Sequence, residues 1–129
     1  MNIITFSIFV SDQEKAKEFY TNILGFEVKH DIDLGGAKWL TVKEANSQNP
    51  VEILLEPNDN KIAKNYQNGL FESKIPATMF SVNDLQKTYS DLVSKGVEFI
   101  TPPKKVNDIY LAIFNDTVGN LIQLVEQYE

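Results

Sequence analysis

The residues able to do acid–base, nucleophilic or metal chemistry are few in this sequence. His30 is the single histidine, set in FEVKHDIDLGG beside Lys29, Asp31 and Asp33, and cysteine is absent. Without thiols, neither a disulfide framework nor a thiolate zinc site can form. One imidazole among charged neighbours reads as a solvated surface residue and a poor nucleus for a metal centre. The hydrolase elements Ser-x-x-Lys and Gly-x-Ser-x-Gly are missing. The six glycines are scattered rather than gathered into a phosphate-binding loop. What remains is carboxylate chemistry. In PVEILLEP, Glu52 and Glu56 flank Leu54 along an apolar strand, and in NLIQLVEQ the amide of Gln123 sits among apolar neighbours. A carboxylate on such a surface serves as a base or as the partner of a cation. An amide there ligates weakly and suits hard ions such as calcium. Trp39 in AKWLTV and Tyr110 in NDIYLAIF offer flat faces on which a planar or cationic ligand stacks, with core packing as the alternative for each. Phe71 in GLFES is placed to close a pocket or to pack at a dimer contact, and PPKK at 102–105 reads as a solvated basic loop.

The elements that position these residues occur twice. IITFSIFVSDQEKAKEFYTNILGFEV (3–28) and IPATMFSVNDLQKTYSDLVSKGVEF (75–99) both run strand, acidic cap, amphipathic helix, glycine and short strand. Asp12 and Asp84 are expected to cap the helices by accepting from free N–H groups of the first turn. Ala16, Phe19, Tyr20, Ile23 and Leu24 recur at helical spacing, as do Leu85, Tyr89, Leu92 and Val93. Gly25 and Gly96 end the two helices. Further strands are expected at about 26–32, 37–43 and 50–56, and again at about 97–100, 108–114 and 120–126. The polar segment PNDNKIAKNYQNGLFES connects the halves and carries one short helix near 61–68.

Alternation along the strands divides their faces. Ile4, Phe6, Ile8 and Val10 are expected to meet the first helix, as are Thr78, Phe80 and Val82 in the second half. Val51, Ile53 and Leu55 share one face of their strand. The opposite face then carries Thr5, Ser7, Glu52, Leu54, Ala77, Met79, Leu121 and Gln123. That mixture suits a pocket with apolar walls and a few polar groups, and suits a half-exposed sheet equally well.

A chain of 129 residues is expected to form one domain. No stretch reads as membrane-spanning, and the start lacks the basic region of a signal peptide, so a cytoplasmic protein is expected. A formal charge of −6 disfavours nucleic-acid partners.

The strand–Asp–helix–Leu-Gly-Phe pattern of FSIFVSDQEKAKEFYTNILGFEV resembles the vicinal oxygen chelate superfamily. So do MFSVNDLQKTYSDLVSKGVEFITPP and the late Asp-x-x-Gly-Asn-x-Ile-x-Leu run of FNDTVGNLIQLVEQ. That superfamily includes glyoxalase I, bleomycin-resistance and fosfomycin-resistance proteins and extradiol dioxygenases, and GGAKWLTV…VEILLEP…GLFESKIPATMFSV is similar to a glyoxalase-like bacterial branch. The resemblance implies an α+β fold in which two βαβββ modules form a cupped mixed sheet, a half-barrel, with helices on the outer face. Module 1 would span about 1–56, the connecting segment 57–74 and module 2 about 75–129, all one domain, commonly assembled as a homodimer. It also implies metal positions on the first and last strands of each module, and these fall here on Thr5, Ala77, Gln123 and Glu52, with Glu56 the alternative to Glu52. A hydroxyl, a methyl, an amide and one carboxylate make a site from which the ligands have gone, so no metal and no cofactor are expected. The leading expectation is metal-independent binding of a drug or metabolite, as in bleomycin-resistance members, in a pocket of Thr5, Ser7, Trp39, Glu52, Leu54, Ala77, Met79, Tyr110 and Gln123. The alternatives are a glyoxalase- or dioxygenase-type enzyme with a catalytic site built on Glu52, and a structural or regulatory dimer with a vestigial pocket.

Overall fold

The computed structural model describes residues 1–127. In chain order the elements are β1 (Thr5–Val10), α1 (Gln13–Glu18) running into a π-helical turn (Phe19–Ile23), β2 (Glu27–Asp33), β3 (Lys38–Lys43) and β4 (Glu52–Pro57). Then come α2 (Lys61–Glu72), β5 (Thr78–Val82), α3 (Leu85–Ser94), β6 (Phe99–Val106), β7 (Ile109–Asn115) and β8 (Leu121–Glu126). The chain divides into two compact units, one through Asn65 and one from Tyr66 onward. Each holds a four-stranded mixed sheet, ordered β1-β4-β3-β2 in the first and β5-β8-β7-β6 in the second. In both, the first strand pairs in parallel with the last, and the other neighbours are antiparallel. The fold is α+β, with the βαβββ order present twice.

Local chemistry explains the repeat. The Asp12 carboxylate accepts from Lys15 N at 3.1 Å and that of Asp84 from Lys87 N at 3.0 Å, so both helices start at their expected caps. Both end at glycines with φ of +88°, Gly25 and Gly96. In the first unit Ile8, Val10, Ala16, Tyr20, Leu40, Val42, Ile53 and Leu55 are buried. Burial of each valine, leucine and isoleucine among them contributes roughly 1.5–3 kcal/mol. Ile4 and Phe6 have the expected parity yet stay 65% and 36% exposed, because α1 packs over β3 and β4 rather than along β1. In the second unit Leu85, Leu92, Ala112, Phe114, Ile122 and Leu124 form the core, whereas Val93, expected on the apolar stripe of α3, is exposed.

Two elements are longer than the sequence pattern indicates. Helix α2 runs to Glu72 rather than ending near 68. Strand β6 passes through Pro102 and Pro103, which read as a turn. Proline gives no N–H to a ladder and is tolerated on an edge strand, and β6 is the edge of its sheet. The pairing skips the prolines, going from Thr101–Ile113 to Lys104–Leu111. Lys104 and Lys105 are exposed, as expected, but on a strand.

The turn between β7 and β8 is fixed by a buried polar network. The Asp116 carboxylate accepts from Val118 N at 3.0 Å, Asn120 N at 2.9 Å and Asn120 Nδ2 at 2.8 Å. From α2, Gln67 Nε2 donates to Val118 O and Asn120 Oδ1 at 3.1 and 3.2 Å. Gly119 lies in this turn with φ +103°. Among the described residues, no helix is long and apolar enough to cross a membrane.

Candidate functional site

The helix-free face of the first sheet collects most of the chemistry in its unit. Register puts Thr5 beside Glu52, Ser7 beside Leu54 and Phe9 beside Glu56, so these side chains share that face. Thr41 pairs with Leu54, and Trp39 has the same parity. A bulge at Lys29 carries pairing from Val28–Val42 to His30–Thr41. Without it, His30 would lie opposite Leu40 on the core face; with it, His30 turns onto the open face.

Three side chains consequently meet. The buried Thr41 hydroxyl donates to Glu52 Oε1 at 2.7 Å and accepts from His30 N at 3.1 Å. His30 Nε2 lies 3.6 Å from the same Glu52 oxygen, and the Glu52 side chain is only 13% exposed. The His30 side chain stays 41% exposed, in keeping with its charged neighbours, while one ring edge lies beside Glu52. Further along, the Ser7 hydroxyl donates to Glu56 Oε1 at 2.5 Å.

A cavity of about 360 Å³ opens beside Glu56, walled by Trp39, Leu54 and Pro57, with Lys38, Asp59 and Asn60 at its polar side. Gln13 on α1 pins its rim, donating to Lys38 O and Leu55 O at 2.9 Å and accepting from Lys38 N at 3.0 Å. The Lys38 ammonium contacts Glu14 at 2.6 Å and Asp31 at 3.3 Å, and Lys17 reaches Asp31 at 2.7 Å. The hydrogen bond from Lys17, joined by that from Lys38, holds the Asp31 carboxyl below its ordinary value despite partial desolvation. Glu14 first, then Asp31, raises Lys38 above the ordinary lysine value.

Of the sequence-predicted pocket residues, Trp39 and Leu54 line this cavity, while Thr5, Ser7 and Glu52 share its sheet face. In the second unit Ala77, Met79 and Gln123 lie on one sheet face, and Gln123 Nε2 donates to Met79 Sδ at 3.3 Å. Tyr110 is not on that face. It shares parity with the buried Ala112 and Phe114, and its hydroxyl donates to Gln86 of α3 at 3.4 Å, so it packs on the helix side. Phe71 lies in α2, 36% exposed. Sequence reasoning missed Thr41, whose parity with Trp39 was available. It also missed Asp59 and Asn60, signalled only by the turn-rich NDN that follows β4.

The family's metal does not suit these residues. In the first unit, Thr5 offers a hydroxyl, and Glu52 is engaged by Thr41 and His30. In the second, Ala77 has no donor atom, and Gln123 offers an amide. No group of three or more His, Asp or Glu side chains able to hold a metal ion occurs among the described residues.

Residues 2–124 match the sequence pattern of the Glyoxalase/Bleomycin resistance protein/Dioxygenase superfamily, and the chain belongs to that superfamily. It is 48% identical over 127 residues to the uncharacterized protein YurT of Bacillus subtilis (strain 168), covering 98% of this chain and 100% of that one. Among solved structures it resembles UcmS2, with a TM-score of 0.83 and 31% identity over 98% of both chains. It also resembles TnmS3, described as an antibiotic binding protein from Streptomyces sp. CB03234, with a TM-score of 0.75 and 26% identity, covering 99% of this chain and 97% of that one.

Proposed function

We propose that the protein binds a small organic molecule without a metal, in the cavity on the open face of the first sheet, and that it acts by sequestering a drug or metabolite. One observation carries this reading: a cavity of about 360 Å³ that places an exposed indole and an aliphatic wall beside a carboxylate. Sites for small ligands combine apolar walls with a few polar groups at volumes of roughly 300–1,000 Å³. The antibiotic-binding description of TnmS3 supports the same class of activity. Cytoplasmic residence and a homodimer are part of the proposal.

Trp39 is the only tryptophan, so its emission reports on the cavity directly. Titrating a panel of flat organic molecules into protein treated with a chelator should give saturable quenching for at least one class. It should also raise the melting temperature, since a ligand at 100 times its Kd stabilises the folded state by about 2.7 kcal/mol. Binding seen only after adding nickel, zinc, manganese or iron contradicts the proposal. No saturable binding at all favours a structural or regulatory dimer.

A second reading draws on the closeness of His30 and Glu52, 3.6 Å apart. A carboxylate and an imidazole at that range form an acid–base pair, which supports an enzyme of the glyoxalase or dioxygenase type. Glu52→Gln separates the two: it should abolish turnover in an enzyme and leave ligand uptake beside Trp39 nearly unchanged in a binder.

A further inference from the structure

We propose that the cavity beside Trp39 prefers planar organic cations, an aromatic ring system bearing an ammonium or amidinium charge. This rests on the binding role proposed above and adds the chemical class of the ligand. The wall combines two features that point to the same molecule. The first is Trp39, a residue 40% exposed, whose indole offers a face for stacking and for cation–π attraction. The second is uncompensated negative charge. Glu56 takes a hydrogen bond from Ser7 but has no cationic partner, and Asp59 has none either among the described residues.

The lysine on the wall does not offset these charges. Lys38 is held by Glu14 at 2.6 Å and Asp31 at 3.3 Å, so its charge is already matched. Two carboxylates at the mouth are thus left without an ion-pair partner among the described residues, on a chain with a formal charge of −6. Negative charge of this kind concentrates cations and repels anions. A bare metal ion is not the occupant these residues favour, since no group of three acidic or imidazole ligands exists among the described residues. A charge carried by the rim of a flat ring is satisfied by Glu56 and Asp59 while the ring lies against Trp39 and Leu54.

The test compares three planar probes of similar size: proflavine as cation, acridone as neutral ring and anthraquinone sulfonate as anion. Binding is followed by Trp39 fluorescence and by calorimetry at low and high salt. Proflavine should bind about tenfold more tightly than acridone, the gain expected from two partly solvated charge contacts, and the sulfonate should bind weakest. Added salt should shrink the difference. The double variant Glu56→Gln, Asp59→Asn should remove the preference, bringing proflavine and acridone to similar affinities. Asp59→Asn alone, in an exposed loop position, should lower proflavine affinity about threefold even if loss of the Ser7–Glu56 bond disturbs folding of the double variant. Acridone binding as tightly as proflavine, or a preference that survives both substitutions, overturns the charge selectivity and leaves the binding role standing. Failure of all three probes to bind overturns both.

Discussion

Gly119→Ala should be among the most damaging small substitutions in the chain, and its cost can be worked from two separate effects. Gly119 has φ +103°, outside the region that L residues adopt readily, and holding alanine there costs about 1–3 kcal/mol. The added methyl would sit 2.6 Å from Gln67 Nε2 and 2.8 Å from its Cδ. Gln67 is 3% exposed, so it can move only by giving up its bonds to Val118 O and Asn120 Oδ1. At about 1 kcal/mol per bond that adds roughly 2 kcal/mol. The total is about 3–5 kcal/mol, or a fall in melting temperature on the order of 12–20 °C for a chain of this size. Urea denaturation followed by circular dichroism measures it. Gln67→Ala then separates the effects, because it removes the collision and keeps the backbone strain. The double variant should lose about 2 kcal/mol less than the sum of the two singles. A loss below about 1 kcal/mol for Gly119→Ala, or strict additivity with Gln67→Ala, would refute the account.

Asp84→Ala removes the acceptor for Lys87 N and should cost about 1 kcal/mol in a urea titration. Thr41→Val keeps the shape of a fully buried side chain but leaves His30 N and Glu52 without their shared hydroxyl, so stability should fall by about 1–3 kcal/mol. For Asp31 the folded-state value lies below the ordinary 3.8, so its ion pairs stabilise the fold above that pH and the contribution fades as pH falls through the lowered value. Melting curves of the parent and Asp31→Asn should thus differ at neutral pH and converge below pH 3.8, and a difference that grows on acidification would contradict the assignment. Lys38, raised in the fold, keeps its contribution at neutral pH and loses it only as pH rises past its elevated value, so it does not mask the acid-side convergence.

The repeat, both caps, both helix ends and the parity of β1, β4, β5 and β8 were legible because each depends on a few neighbouring residues. Strand β6 was not, because two prolines signal a turn locally and only an edge position in a sheet makes them acceptable. The approach of His30 to Glu52 was hidden for a similar reason. The bulge that turns it toward Glu52 is a property of the β2–β3 pairing, not of FEVKHD itself. Tyr110 was legible in principle, since two-residue counting from Phe114 puts it on the helix side. The cavity was partly legible: Trp39 and Leu54 follow from strand alternation. Asp59 and Asn60 enter through the path of a loop that no periodicity records.

The prolines of β6 also bear on how the protein behaves in a crowded solution. An outer strand ordinarily presents unpaired N–H and C=O groups on which a foreign strand can add. Consecutive prolines at 102 and 103 interrupt that row, and Lys104 and Lys105 follow them with two like charges. This margin of the second sheet is thereby a poor template for runaway β-stacking, a safeguard written into the strand itself.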